Sequence, residues 1–252
     1  MTISDWQGIS SPFRELLLMD TSPVALTCRE KRDVTEQLKA QGGKVRICRA
    51  VLDASGGKEV VICRKNNACF GAVWHLGFQK LQDPEVRRMT KQFVVEGEKL
   101  FSSHDALENL LMQMEDVPDN AHNCFYLSPL ETTRFEPQLV IFNVNPDQAC
   151  RLLTFVTFLD GHMPQIKIGG PTCRMAIIYP LLTGEVNLSF YDYTARRLCH
   201  VPDDKLIISI PAAKIPLIID SIDKCTAGTA KIEYPQEFRE FLQRRTKVAS
   251  KK

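Results

Sequence analysis

From residue 124 onward the chain alternates short runs rich in β-branched and aromatic residues with longer stretches of helical period, and that alternation restricts it to a mixed α/β architecture. Cys124 to Leu127, Leu139 to Val144, Gln165 to Ile168, Val186 to Phe190 and Leu206 to Ile210 read as strands. Pro146 to Phe158, Pro171 to Leu182 and Ala212 to Lys224 read as helices. Upstream, helices are expected at Phe13 to Met19, Val45 to Ala54 and Phe70 to Leu76, and strands at Pro23 to Thr27 and Glu59 to Ile62. Ser103 caps a helix over His104 to Met114, and in the polar span 79 to 103 only Phe93-Val94-Val95 reads as a strand. With 252 residues and 44% of them hydrophobic, the chain can bury a large core as one globular domain of alternating helices and strands.

Thirty-two basic and 30 acidic residues give a formal charge of +2, a near balance that offers no strong field to nucleic acid or anionic lipid. The basic excess gathers after residue 239, at Arg239, Arg244, Arg245, Lys247, Lys251 and Lys252, a pattern expected of a solvated, partly disordered end. No run approaches the roughly 20 apolar residues that span a bilayer. Asp5 and Glu15 stand where a secretion signal needs a cationic start and an apolar core, so the expected location is the cytoplasm. There a structural disulfide is not expected, and the nine cysteines are read as thiols, thiolate ligands or redox groups.

Two of these cysteines open similar segments. Gly42-Gly43 precedes Cys48-Arg49, followed by Val51-Leu52, a Gly56-Gly57 turn and the strand from Glu59; Gly169-Gly170 precedes Cys173-Arg174, followed by Ile177-Ile178, Thr183-Gly184 and the strand from Glu185. Either the chain contains an internal pseudo-repeat, with two cysteine-bearing helices about a pseudo-twofold centre, or helix, glycine turn and strand recur by chance.

Several stretches together resemble a known family: Pro23-Val24-Ala25, Cys48 within Arg46-Ile47-Cys48, Ala68-Cys69-Phe70-Gly71-Ala72, Gly169-Gly170-Pro171-Thr172-Cys173 and Tyr179-Pro180-Leu181-Leu182-Thr183-Gly184-Glu185. Asp192-Tyr193, Ala195-Arg196-Arg197, Asp203-Asp204 and Ile210-Pro211 continue it. Over most of residues 20 to 225 the chain resembles the family called domain of unknown function 169, whose members are prokaryotic, often anaerobic, soluble proteins. The resemblance implies no established activity. It does place Cys48, Cys69 and Cys173 in family motifs and leaves the other six cysteines outside them.

Thiolates are favoured in the first turn of a helix, where free N–H groups and the helix dipole attract negative charge. Cys173, two residues after Pro171, fits that position; Cys69 follows Asn66-Asn67, either of which can cap a helix; Cys48 is less clearly at a helix start. Three chemistries suit the set. The cysteines can ligate an iron-sulfur cluster or related metal cofactor, with an iron left open to a substrate. Cys173 can act as a redox thiol with Cys48 or Cys69 as resolver. All three can instead be small buried hydrophobes at helix contacts.

The histidines offer no catalyst, and Cys199-His200, read on a strand, points to opposite faces. Tyr191-Asp192-Tyr193 followed by Arg196-Arg197 is the remaining polar constellation. Tyr191, Tyr193, Arg196 and Arg197 can grip an anionic small ligand, or the arginines can pair with Asp203 or Asp204. The first functional reading is therefore a cysteine-ligated metal protein working with a small molecule or redox partner. The second is a non-enzymatic ligand-binding or interaction protein with structural cysteines.

Overall fold

The β-branched runs pair into one sheet. β1 (Val24–Glu30), β2 (Val60–Cys63), β3 (Asn123–Pro129), β4 (Leu139–Val144), β5 (Asn187–Phe190) and β6 (Leu206–Pro211) stand in the order β2-β3-β1-β4-β6-β5, every neighbouring pair antiparallel. The computed structural model describes residues 1–30, 42–80, 83–114 and 116–249, with side chains to residue 245. Helices alternate with the strands as the sequence pattern predicts, but they join antiparallel strands, so the sheet is not of the parallel, doubly wound kind.

Successive side chains of a strand face opposite ways. Val140, Phe142 and Val144 of β4 therefore join one core, with α1 (Ile3–Leu17), α6 (Pro146–Asp160) and α9 (Ile215–Ile219). Leu139 and Ile141 join the other, beneath α2 (Ile47–Ser55), α3 (Phe70–His75), α7 (Tyr179–Thr183) and α8 (Tyr193–Cys199). Phe13, Phe142 and Phe155 are fully buried in the first core, and Leu26, Ile62 and Phe125 in the second. Each such side chain stabilises the fold by about 1.5–3 kcal/mol relative to exposure. α4 (Pro84–Lys91) and α5 (His104–Leu111) complete the upstream part, and α10 (Gln236–Ala249) forms a C-terminal helix whose described side chains are exposed. The basic run from Arg239 lies on α10, with Lys251, Lys252 and the side chain of Lys247 outside the described residues.

The echo in the sequence extends to the sheet. Reading outward from its centre, β1-β3-β2 matches β4-β6-β5, so each half is strand, helix, edge strand, middle strand. Registers match as well: Val24 pairs with Pro129 as Leu139 pairs with Pro211, and Val60 pairs with Leu127 as Asn187 pairs with Ser209. The Leu130 N–H donates to the Pro23 carbonyl at 2.8 Å, and the Ala212 N–H donates to the Gln138 carbonyl at 3.0 Å. A 3-10 turn follows β3 at Leu130–Thr132 and β6 at Ala212–Lys214. A pseudo-twofold axis normal to the sheet, through the antiparallel β1/β4 pair, relates the halves. Cys48 and Cys173 are equivalent under it and lie on the same face.

The structure departs from the sequence expectations in five places. Gln165 to Ile168 is not a strand: the Lys167 N–H donates to the Asn187 side chain at 2.8 Å and the Gln165 carbonyl accepts from the Tyr179 hydroxyl at 2.8 Å, so side chains satisfy this backbone. Phe93 to Val95 lies within a π-helical stretch, Gln92–Gly97, that continues α4. The helix expected over Ala212 to Lys224 is confined to a 3-10 turn and the short α9. Cys199 and His200 end a helix rather than share a strand, His200 closing α8 in the left-handed region at φ 54°. Finally, Cys63 and Cys124, directly opposed across β2 and β3 with Cα atoms 4.3 Å apart, form a disulfide. Strand register brings that pair together, and nothing in their spacing of 61 residues announces it.

Candidate functional site

On the face of the sheet that carries the two echoed segments, four cysteines come together. Cys48 is the second residue of α2, after an extended Arg46 at the N-cap, so it does occupy a first turn. Cys173 follows Thr172 in the opening turn of a helix that runs as a π-helical stretch over Arg174–Ile178 and then as α7. Cys69 is the N-cap residue of α3. Cys199 is the last residue of α8. Cys48, Cys173 and Cys199 are buried in one hydrophobic cluster, and half-buried Cys69 and Cys28 pack against it.

Local hydrogen bonds fix these positions. The Val45 N–H donates to the Asn66 carbonyl at 2.9 Å and the Ala68 N–H donates to the Val45 carbonyl at 2.9 Å, which ties the loop before Cys69 to the residues before Cys48. Asn67 makes an Asx turn, its Oδ1 accepting from the Cys69 N–H at 3.1 Å. Gly169, at φ 94°, turns the chain into Pro171 in a conformation that favours glycine. Asp192 caps α8 by accepting from the Ala195 N–H at 2.8 Å, and its other oxygen accepts from the Thr172 N–H and hydroxyl at 2.9 and 2.7 Å. That clamp sets the start of α8 beside the Cys173 turn, with Cys199 at the other end of the helix.

A π-helical stretch shifts its carbonyls off the regular ladder, and such stretches recur at functional sites. Here Asn187 of β5 donates to the Met175 carbonyl at 2.9 Å and Ser209 of β6 donates to the Ala176 carbonyl at 2.5 Å. Two buried polar residues of the sheet thus hold the segment that follows Cys173.

Three of these thiols, Cys48, Cys173 and Cys199, are shifted by their surroundings. Burial pushes Cys48 well up from the ordinary thiol range, and the charges of Asp192, Cys173, Cys199 and Cys69 push it further. Cys173 is raised by burial, then by Cys69 and Asp192, against the opposing pull of the Arg174 N–H and its own. Burial also raises Cys199, offset by the guanidinium groups of Arg46 and Arg49 and reinforced by Cys69 and Asp192. In this state the buried thiols hold their protons. Among the described residues no group of three or more His, Cys, Asp or Glu side chains is arranged to hold a metal ion.

The tyrosines and arginines divide. Tyr191 is buried beneath the cysteines, its hydroxyl donating to Asn143 Oδ1, and burial followed by the charges of Cys48 and Cys199 raises it well above the usual phenol range. Asn143 is buried at 3% exposure, and its Nδ2 has no hydrogen-bond partner among the described residues. Arg196 donates to the carbonyls of Pro202, Asp203 and Lys205, bracing the turn between α8 and β6. Tyr193 and Arg197 lie exposed on α8. The four residues therefore do not meet in one pocket.

A sequence profile closes the question of kinship. The profile of the uncharacterised ArCR family, domain of unknown function 169, matches residues 13–221. The chain belongs to this family. An uncharacterised protein of Methanocaldococcus jannaschii is 20% identical over 227 residues, covering 88% of this chain and 96% of its own length. No solved structure matches the chain. The matched span holds all four clustered cysteines and both halves of the sheet, while α10 lies beyond it. Of the four, Cys199 is set aside by the sequence because Cys199-His200 reads there as a strand, whereas it ends a helix. Asp192 at a helix N-cap position was the available signal, because a helix begun there carries Cys199 on its buried side.

Proposed function

We propose that this ArCR protein is a cysteine-ligated metal-cofactor protein, with Cys48, Cys69 and Cys173 holding an iron-sulfur cluster in a redox or substrate-binding role. The observation that carries the reading is the convergence on one face of three cysteines from three separate helix starts, two of them equivalent by pseudo-symmetry.

The donor chemistry suits such a group. Sulfur ligands select soft metals and clusters. The Arg174 N–H and its own N–H act on the Cys173 thiol, and Cys48 lies in the first turn of α2, a setting that favours the thiolate form once the protons leave. A single tetrahedral ion with metal-sulfur bonds of about 2.3 Å needs its thiolates within roughly 4 Å of one another. Among the described residues no three His, Cys, Asp or Glu side chains are grouped to hold a metal ion, so cluster binding requires the three cysteine-bearing segments to close on it. Bound there, an iron-sulfur cluster supplies one-electron chemistry. The chain's part is to position the sulfurs, shield them from water, and release their protons on ligation.

Anaerobic expression with cluster assembly supplied is expected to yield a brown protein containing iron and acid-labile sulfide. Cys48→Ser, Cys69→Ser and Cys173→Ser are expected to lower both contents. A colourless, iron-free protein under those conditions overturns the reading.

A further inference from the structure

The disulfide in the opposite core has a cleft of its own. Arg64 and Lys65 follow Cys63 at the end of the edge strand β2, and Ala121, His122 and Asn123 lead into Cys124 on β3; with Cys63 they line a cleft of about 390 Å³. We propose that Cys63–Cys124 is a redox-active disulfide and that this cleft admits its reductant, a small thiol carrying a negative charge. The site lies on the other face of the sheet from Cys48, Cys69 and Cys173, and it stands independently of the cluster reading.

Three observations carry it. The lining is basic: Arg64, Lys65 and His122 contribute to it and none of its lining residues is acidic. A cleft of one sign concentrates ligands of the other. Next, the two ends of the disulfide differ in access. Cys63 lines the cleft and Cys124 does not, and the latter is 0% exposed, so an entering thiolate meets Cys63. Finally, register places Arg29 of β1 directly opposite Cys124, which makes Cys63, Cys124 and Arg29 one row across three neighbouring strands. Directly opposed residues stand about 4.5–5.5 Å apart at Cβ. Arg29 lies over the Phe135 ring at 5.9 Å, and its buried Nε has no hydrogen-bond partner among the described residues. A guanidinium beside Cys124 favours its departure as a thiolate.

The exchange balances with the thiol as sole reductant. Its thiolate attacks Cys63 Sγ; a new S–S bond forms as the Cys63–Cys124 bond breaks, and the bonding pair leaves on Cys124, which takes a proton from water. A second thiolate then attacks the reductant's own sulfur in the mixed disulfide and releases Cys63, which is protonated in turn. Two small thiols have become one small disulfide, and two electrons have passed to the protein pair.

The test uses the full oxidised chain in native buffer at low ionic strength. Mercaptoethanesulfonate, mercaptoethanol and cysteamine serve as anionic, neutral and cationic probes at equal thiolate concentration, and alkylation with peptide mass analysis follows the loss of Cys63–Cys124. The anionic probe is expected to open the bond at least about tenfold faster than the cationic one. That advantage should shrink at high salt. Quenched samples are expected to carry the probe on Cys63. The double variant Arg64→Gln/Lys65→Gln, at two exposed side chains, should bring the three rates together, and Arg29→Gln should slow all three. Equal wild-type rates for the three probes, a probe found on Cys124, or Arg29→Gln rates equal to wild type overturn the proposal. If Arg29→Gln does not fold, the wild-type rates and the position of the probe decide alone.

Discussion

Thr172 and Asp192 grip each other in both directions: the Thr172 N–H and hydroxyl donate to one carboxylate oxygen at 2.9 and 2.7 Å, and the Asp192 N–H donates back to the Thr172 hydroxyl oxygen at 2.8 Å. Thr172→Val keeps the shape and removes the hydroxyl, leaving the Asp192 N–H and part of its carboxylate unpaired. Hydrogen bonds to a charged group contribute about 1.5–3 kcal/mol each. The expected loss is about 2 kcal/mol in urea unfolding, together with faster alkylation of Cys173. Unchanged stability and unchanged labelling would mean the clamp is incidental.

His75 ends α3 buried at 4% exposure, its ring against Trp74 and its Nδ1 without a hydrogen-bond partner among the described residues. Burial first, and then the nearby Arg174 guanidinium, hold it well below the ordinary histidine range. The folded chain therefore resists a proton that the unfolded chain accepts below its own value near 6.5. Stability is fully present above that value and falls as pH drops through it, by about 1.4 kcal/mol per pH unit for one group. Urea midpoints between pH 7 and pH 5 should show this slope, and His75→Leu should flatten it.

Gly77, at φ 78°, closes the turn after α3, and an added Cβ would stand 2.1 Å from the Pro118 carbonyl oxygen. That neighbour is backbone, and the Asn120 N–H donates to the Gly77 carbonyl at 2.8 Å, so neither strand of the turn can retreat cheaply. Gly77→Ala is expected to destabilise the fold by more than about 2 kcal/mol, from left-handed strain and overpacking together. Gly8→Ala, where nothing lies within 4 Å of the new atom, is the control expected to be neutral or slightly stabilising.

The Cys63–Cys124 disulfide closes a loop of 61 residues. On the chain-entropy account such a link contributes about 4 kcal/mol by restricting the unfolded ensemble. Dithiothreitol should lower the unfolding midpoint of the apo-protein accordingly. The double variant Cys63→Ala/Cys124→Ala should be less stable and insensitive to the reductant; equal sensitivity in the variant would place the effect elsewhere.

Metal loading should follow pH in a defined direction. Cys48 and Cys173, two of the proposed ligands, hold their protons more firmly than free thiols, and on the proposed reading each would lose one on ligation. Iron retention after anaerobic dialysis is expected to fall as the buffer is taken from pH 8 to pH 6. Retention independent of pH would argue against thiolate ligation.

Local chemistry made much of this molecule legible in its sequence. The β-branched run Leu139 to Val144 is a strand because it suits a pleated, buried surface, and Pro146 after Asn145 begins a helix because proline fits the first turn and asparagine caps it. The repeated order of Cys, glycine turn and strand, visible at Cys48 and Cys173, depends on residues a dozen positions apart and so is also written locally. Contacts between distant segments decided the rest. Antiparallel pairing of β1 with β4 turned that echo into a pseudo-twofold, and the β2/β3 register joined Cys63 to Cys124. Packing of α8 on α2 put Cys199 in the cluster that holds Cys48 and Cys173, and the turn into β6 left Arg196 bound to backbone carbonyls. Residue types announce which chemistry a chain can perform, but the free energy that selects one partner among nine cysteines lies in long-range packing, which no window of sequence contains.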